Sequence, residues 1–157
     1  MSNELSMDER IRRIRIARWK ARTDLRWFAN EILGYKDVSE EVHGPLLSRL
    51  QKFPSPDSVT IEQNDRFVNG TWEYRPLIPM MDLPGKRRLL ILDSRGCLKT
   101  TLNAISHTLQ WIINYPDIAI AIIQANLDKA EDIISEIKNH FTKNPRFREL
   151  FPEHCPD

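Results

Sequence analysis

Apolar residues recur along this chain in two patterns. Helical spacing appears at Leu25, Phe28, Ala29, Ile32 and Leu33, at Leu46, Leu47 and Leu50, and at Leu102, Ile105, Leu109, Ile112 and Ile113. It returns at Leu127, Ala130, Ile134, Ile137 and Phe141. Two unbroken runs, Leu89 to Leu92 and Ile118 to Ile123, have no polar alternation, as expected of strands covered on both faces. Thr23-Asp24 opens the first helical stretch and Gly34 closes it, Pro45 suits the first turn of the second, and Asn126 caps the last. Asn144-Pro145 stops that helix, and a short helical turn, RFRELF, comes next. The segment RFVNGTWEYR places two β-prone runs around Asn69-Gly70, whose tolerance of positive φ predicts a tight hairpin beside the main sheet. Strand, helix, strand, helix in this order predicts parallel pairing with right-handed crossovers, an α/β core.

Composition adds little to this picture until it is read locally. Lys plus Arg is 23 and Asp plus Glu is 22 in 157 residues, so global charge does not select a polyanion. Residues 10–22, RIRRIRIARWKAR, nevertheless carry seven basic side chains and no acid. Ile11, Ile14 and Ala21 lie near one helical face, with Ile16 and Trp19 on a second. Such a helix either packs its apolar side on its own domain or grips phosphates of a nucleic acid or membrane surface. Trp27 and Phe28, within an apolar stripe, read as core. Cys97 and Cys155 lack metal-type spacing, which suits a reduced intracellular protein. Short apolar runs and the lack of a signal-peptide core predict a soluble cytoplasmic protein. The chain divides into a basic helix at 1–22, a helical lead-in with the hairpin at 23–86, and a core at 87–157.

The core opens with RRLLILDSRGCLKTTL, residues 87–102: an apolar run, a small-residue turn, Lys99-Thr100 and a helical pattern. That order belongs to phosphate-binding loops, where backbone N–H groups and a helix N-terminus face an anion. The standard spelling is GxxxxGK(S/T). Here Asp93 and Leu98 hold the two glycine positions and Gly96 lies between them. A nucleoside triphosphate needs backbone donors free of bulk, a lysine and a hydroxyl for Mg²⁺, roles that Gly96, Lys99 and Thr100 could fill. Arg95 adds a fork of donors. The alternative is an ordinary strand-to-helix turn with a surface lysine.

The spelling SRGCLKTTL resembles the Walker A segment of the large terminase subunit of tailed bacteriophages, in which a basic residue precedes the glycine. TDLRWFANEILGYKDVSEEVHGPLL resembles that family's lead-in, and IAIAIIQAN with KAEDIISEIKNHFTKNPRFRELFPE resembles the stretch beyond its loop, so the likeness spans about residues 23 to 155. It implies a P-loop NTPase core, RecA-like and three-layered with parallel strands, incomplete here and preceded by helices and a β-hairpin. By the same likeness ATP and Mg²⁺ are the cofactors. Ser94, Arg95, Gly96, Cys97, Leu98, Lys99, Thr100 and Thr101 would surround the phosphates, with Arg95 and Lys99 catalytic, Thr100 the Mg²⁺ ligand and His43 near the adenine. Implied partners are double-stranded viral DNA, the portal, the small terminase subunit and further copies of the parent protein, in the cytoplasm of an infected or lysogenic host.

After Ile123 no apolar strand ends in Asp or Glu, and no cluster of nuclease carboxylates is present. Asp128, Glu131, Asp132 and Glu136 read instead as the solvated face of a helix. The chain therefore resembles the front of the ATPase domain, as a truncated or split-gene product would. Whether it hydrolyses ATP alone is left open. The alternative is a non-catalytic remnant that binds nucleic acid or a protein partner.

Overall fold

The computed structural model describes residues 6–50, 65–74 and 97–157. Ser6 starts α1, Met7–Thr23, by accepting the Glu9 N–H at 3.2 Å, and the acids Asp8 and Glu9 lie in the first turn, where the helix dipole favours them. Asp24 ends α1 and caps the next helix, accepting the Trp27 N–H at 2.8 Å. That helix, α2 (Leu25–Trp27), runs directly into a π-helical segment, Phe28–Leu33. Gly34 stops it at a left-handed φ of 88°, where a side chain would be strained.

The third helix, α3 (Glu40–Leu50), begins earlier than Pro45 suggests. Ser39 Oγ accepts the Val42 N–H at 3.3 Å, and Pro45 lies inside the helix, where its missing N–H forfeits a backbone bond. The Asn-Gly hairpin forms as its sequence predicts. Strand β1 (Asp65–Val68) pairs antiparallel with β2 (Thr71–Tyr74), Asp65 opposite Tyr74 and Phe67 opposite Trp72. The turn residues Asn69 and Gly70 have φ of 51° and 84°.

A second π segment, Thr100–Ser106, continues into α4 (His107–Asn114). The long helix α5 (Leu127–Lys143) is capped by Asn126, which accepts the Asp128 N–H at 2.8 Å. Asn144 likewise caps α6 (Pro145–Leu150) through the Phe147 N–H at 3.1 Å, and a 3₁₀ turn, Pro152–His154, comes after it.

The expected α/β architecture is overturned. Helices take 68% of the described residues, and their one sheet is the two-stranded antiparallel hairpin, with no parallel, three-layered P-loop core. The run Ile118–Ile123 is irregular rather than a covered strand: Ile120 is 40% exposed and Ile123 88%. An apolar run records a preference for burial but supplies no ladder partner, and an unpaired segment cannot hold strand geometry by itself. The run Leu89 to Leu92 lies outside the described residues. In place of a sheet, helices pack on helices: Ala21, Leu25, Phe28 and Ile32 meet Leu102, Leu109, Ile137 and Phe147 in one core.

The face of α5 is turned accordingly. Ala130, Ile133, Ile137 and His140 are buried, whereas Leu127 is 71% exposed and Ile134 39%. The expected and observed stripes share Ala130 and Ile137 and diverge between them. The inner stripe prevails because His140 finds hydrogen-bond partners there, Tyr35 and Asn144.

Buried polar groups join the elements. Gln110 and Asn114, one turn apart on α4, donate at 3.0 and 3.3 Å to the carbonyls of Ala21 and Arg22 at the end of α1. These are acceptors that a helix terminus leaves without intrahelical partners.

A larger cluster centres on Arg18 and Arg22, whose side chains are 0% and 3% exposed. The Asp65 carboxylate accepts from Arg18 Nε at 2.7 Å on one oxygen and from Arg22 Nη1 at 2.8 Å on the other. Arg18 also donates to Glu153, at 2.6 Å and 3.2 Å, and to the Leu150 carbonyl. Aromatic rings close the cluster: the Arg18 guanidinium lies 4.6 Å from the Trp72 ring centre and that of Arg22 3.8 Å from Tyr74. Burial pulls the Arg22 pKa down to about 10, against the opposing pull of Asp65. Two guanidiniums and two carboxylates thus fasten α1, the hairpin and the 3₁₀ turn.

Removing one partner of such a cluster strands the others in a dry site. Asp65→Asn is expected to lower stability by about 3–5 kcal/mol in urea unfolding, while the exposed Asp37→Asn changes it by less than about 0.5 kcal/mol. An equally small effect at Asp65 would contradict the cluster's role.

Candidate functional site

Of the residues assigned to the phosphate loop, Cys97, Leu98, Lys99, Thr100 and Thr101 come together at the start of one helix. Ser94, Arg95 and Gly96 lie outside the described residues. Lys99 and Thr100 are exposed, and Cys97 and Leu98 are half-buried.

Leu98 is the distinctive residue. Its φ is 46°, in the left-handed region, which branched apolar side chains avoid at a cost of about 1–2 kcal/mol. This is the position where the standard loop spelling has its second glycine. The sequence broke the glycine rule, yet the backbone keeps the conformation that the rule exists to permit. Two contacts hold it there: the Leu98 side chain packs on the core, and its carbonyl accepts the Leu102 N–H at 2.8 Å.

The helix that Leu98 introduces starts at Lys99, whose side chain makes no capping hydrogen bond to the turn that follows it. Its first turns are π-helical, a geometry often found at functional sites. Within them the Ser106 hydroxyl donates to the Thr101 carbonyl at 2.7 Å. This π segment packs against the earlier one, Phe28–Leu33, and against α5. Lys99 and Thr100 are thus an exposed lysine and an exposed hydroxyl residue next to each other at a helix start, the residue types that a phosphate with Mg²⁺ would require. When bound, the metal would supply charge neutralisation at the phosphate oxygens, with Lys99 and Thr100 as the protein groups nearest to hand.

His43 sits elsewhere, buried on α3, which packs on α2. Its Nδ1 accepts the Ser39 N–H at 3.1 Å, which commits that nitrogen to the start of its own helix.

The acids of α5 divide. Asp128, Glu131 and Asp132 are exposed, as their placement on a solvated face predicts, but Glu136 turns inward to accept the Tyr35 hydroxyl. Tyr35 Oη also lies 3.1 Å from His140 Nε2, and His140 Nδ1 lies 3.0 Å from Asn144 Nδ2. The directions are set by the ends. Asn144 Nδ2 can only donate, so His140 Nδ1 accepts, and Nε2 carries the proton toward Tyr35 while Tyr35 donates to Glu136. Burial lowers the His140 pKa despite the neighbouring Glu136, and burial with the Glu136 bond raises that of Tyr35. The chain therefore holds a neutral imidazole between α5 and the first π segment, to which Asn144 donates through the Ile32 carbonyl at 2.8 Å.

Neither reading of the basic helix, an apolar side packed on its own domain or basic side chains gripping phosphates, anticipated the buried Arg18–Arg22 cluster. A signal was present, since Ile11, Ile14, Ala21, Leu25 and Phe28 form a stripe with a period near 3.5 whose one gap is filled by Arg18. An arginine on the buried stripe of a helix requires a buried acid. The acids that answer it, Asp65 and Glu153, are too distant in sequence for spacing to find.

No family model matches the chain, and no curated protein or solved structure matches it either.

The strain at Leu98 is measurable by comparing two truncations. Leu98→Ala and Leu98→Gly both lose the side-chain packing, but only glycine relieves the positive φ. The glycine variant is expected to be more stable by about 1 kcal/mol, the reverse of the usual preference for alanine over glycine. Chemical denaturation in which alanine is the more stable would place Leu98 in an unstrained conformation.

Proposed function

We propose that this chain is a nucleoside-triphosphate-binding segment corresponding to the N-terminal part of a phage terminase large subunit. One observation carries the reading: Leu98 occupies the loop's second glycine position in a left-handed conformation, immediately before Lys99 at a helix start. Strain of this kind persists where the surroundings over-determine it and is concentrated at ligand sites. The sequence likeness adds the ligand, ATP with Mg²⁺, and the arginine, Arg95, that would meet the γ phosphate. The reading rests on this loop and on the likeness around it; among the described residues, helices pack against the segment that follows the loop.

Double-stranded viral DNA, the portal, the small terminase subunit and further copies of the parent belong to the same proposal, as does the host cytoplasm. Among the described residues no helix is long and apolar enough to cross a membrane. The described part of the chain also brings no acidic pair to the loop. Glu136, the one partly buried acid of α5, is held by Tyr35. The proposal is therefore triphosphate binding, with hydrolysis belonging to the parent motor.

A second reading, a remnant that binds a protein partner, draws on the exposed apolar side chains of Ile120, Ile123, Leu127 and Ile134. It makes no demand on Lys99, and that separates the two.

Titration of the chain with Mg-ATP, monitored by calorimetry, is expected to give saturable binding that Lys99→Ala abolishes, with the variant still folded by circular dichroism. Alkylation of Cys97 is expected to slow when Mg-ATP is present. Binding that survives Lys99→Ala, or none at all in the unmodified chain, would overturn the loop assignment.

A further inference from the structure

Asn144 stands where three elements meet, and its side chain is committed to all of them. Its Oδ1 accepts the Phe147 N–H at 3.1 Å, which caps α6. Its Nδ2 donates to the Ile32 carbonyl of the first π segment at 2.8 Å and to His140 Nδ1 of α5 at 3.0 Å. Turning the amide over would set oxygen against the Ile32 carbonyl and N–H against the Phe147 N–H. A donor is therefore fixed toward the imidazole.

The other edge of the ring is fixed as well. His140 is buried, with the Tyr35 ring packed edge-on at 5.8 Å between centres. Nε2 donates to Tyr35 Oη at 3.1 Å, and Tyr35 passes its own proton's bond to Glu136. A second proton on the imidazole must therefore go to Nδ1, where it meets the Asn144 amide, donor against donor. Burial holds the His140 pKa below its ordinary 6.5, against the pull of Glu136. Other charges on the surrounding elements are engaged elsewhere or exposed. Glu31 of the first π segment pairs with Lys36 at 3.0 Å and Arg146 at 3.6 Å, and Arg148 donates to the Phe141 carbonyl at 3.0 Å. Glu149 lies 4.0 Å from Arg10, and Lys138 and Lys143 are exposed. The second π segment, TTLNAIS, carries no charged side chain.

We propose that His140 and Asn144 form a pH-sensitive latch, in which a proton taken from solvent at His140 Nδ1 expels the Asn144 amide and loosens α6 and the first π segment from α5. One proton acts on three contacts because a single amide makes all three. The latched ring is neutral, so the folded state binds this proton less readily than the unfolded chain does. The latch therefore contributes fully above pH 6.5, and its contribution is lost as the pH falls below that value toward the lowered pKa of the folded state. Glu136 does not rescue the charged ring, because the Tyr35 hydroxyl stands between them on the opposite edge from Asn144. The latch uses none of the phosphate-loop residues and holds whether or not that loop binds a nucleotide.

The test follows the His140 ring and the Asn144 side-chain amide of the full chain by nuclear magnetic resonance while the pH is lowered from about 8 to about 5. His140 is expected to titrate below 6.5, with the Asn144 amide signals moving at the same midpoint. Asn144→Asp keeps an acceptor for the Phe147 N–H but turns a carboxylate toward the ring. It is expected to raise the His140 midpoint by about one pH unit or more. In urea unfolding, the folding constant of the unmodified chain is expected to fall by up to about tenfold more per pH unit below 6.5 than that of His140→Gln, which cannot take up the proton. The ring titration decides the matter even if His140→Gln does not fold. A His140 midpoint at or above 6.5, Asn144 signals indifferent to it, an unchanged or lower midpoint in Asn144→Asp, or the same acid dependence in a folded His140→Gln would each overturn the proposal.

Discussion

The Asp65 carboxylate is the point on which the arrangement of this protein turns. It is buried, and each of its oxygens takes a different guanidinium of α1, at 2.7 and 2.8 Å. Arginines cannot shed their charge to enter a core, so their burial must be compensated on the spot. Asp65 and Glu153 do that from two directions, the hairpin on one side and the 3₁₀ turn on the other. A two-stranded hairpin has little stability of its own in water. Its place in this fold is set by the two strand aromatics, Trp72 and Tyr74, that cover the arginines its own first residue neutralises. Tyr74 carries the connection onward by donating to Asn114 at 3.0 Å, which ties the hairpin to the far end of the helix that begins at Lys99.

That connection gives the candidate loop a rigid base. Arg22 Nε donates to the Ile113 carbonyl at 3.3 Å, and Gln110 and Asn114 hold the end of α1. At the other end of the same helical stretch, Leu98 packs into the core and the two π segments meet. A strained backbone residue survives only where its surroundings are fixed on several sides. Here they are fixed by packing behind Leu98 and by hydrogen bonds one helix-length away. The positive φ of Leu98 is thus supported, among the described residues, by the helices packed around it.

The legible part of the sequence was local. Asp24, Gly34, Asn126 and Asn144 mark helix ends through bonds that reach two or three residues, and Asn69-Gly70 fixes its turn by backbone preference alone. Lys99 at a helix start was legible for the same reason. Features decided by distant partners were not. Ile118–Ile123 has the composition of a buried strand but no ladder beside it among the described residues. The stripe of α5 was ambiguous by one position, and His140 decided it through Tyr35 and Asn144, bonds that no periodicity contains. Within the candidate site, the positive φ of Leu98 was not legible, since a leucine by itself favours the right-handed side.

The central claim is that buried charge pairs make α1, the hairpin and the helical core a single cooperative unit. Native-state amide hydrogen exchange tests it most directly. The hairpin amides between Asp65 and Tyr74 are predicted to open with the same free energy as those of α1 and α5. Hairpin amides that exchange as fast as those of an isolated hairpin, while the helices stay protected, would contradict it.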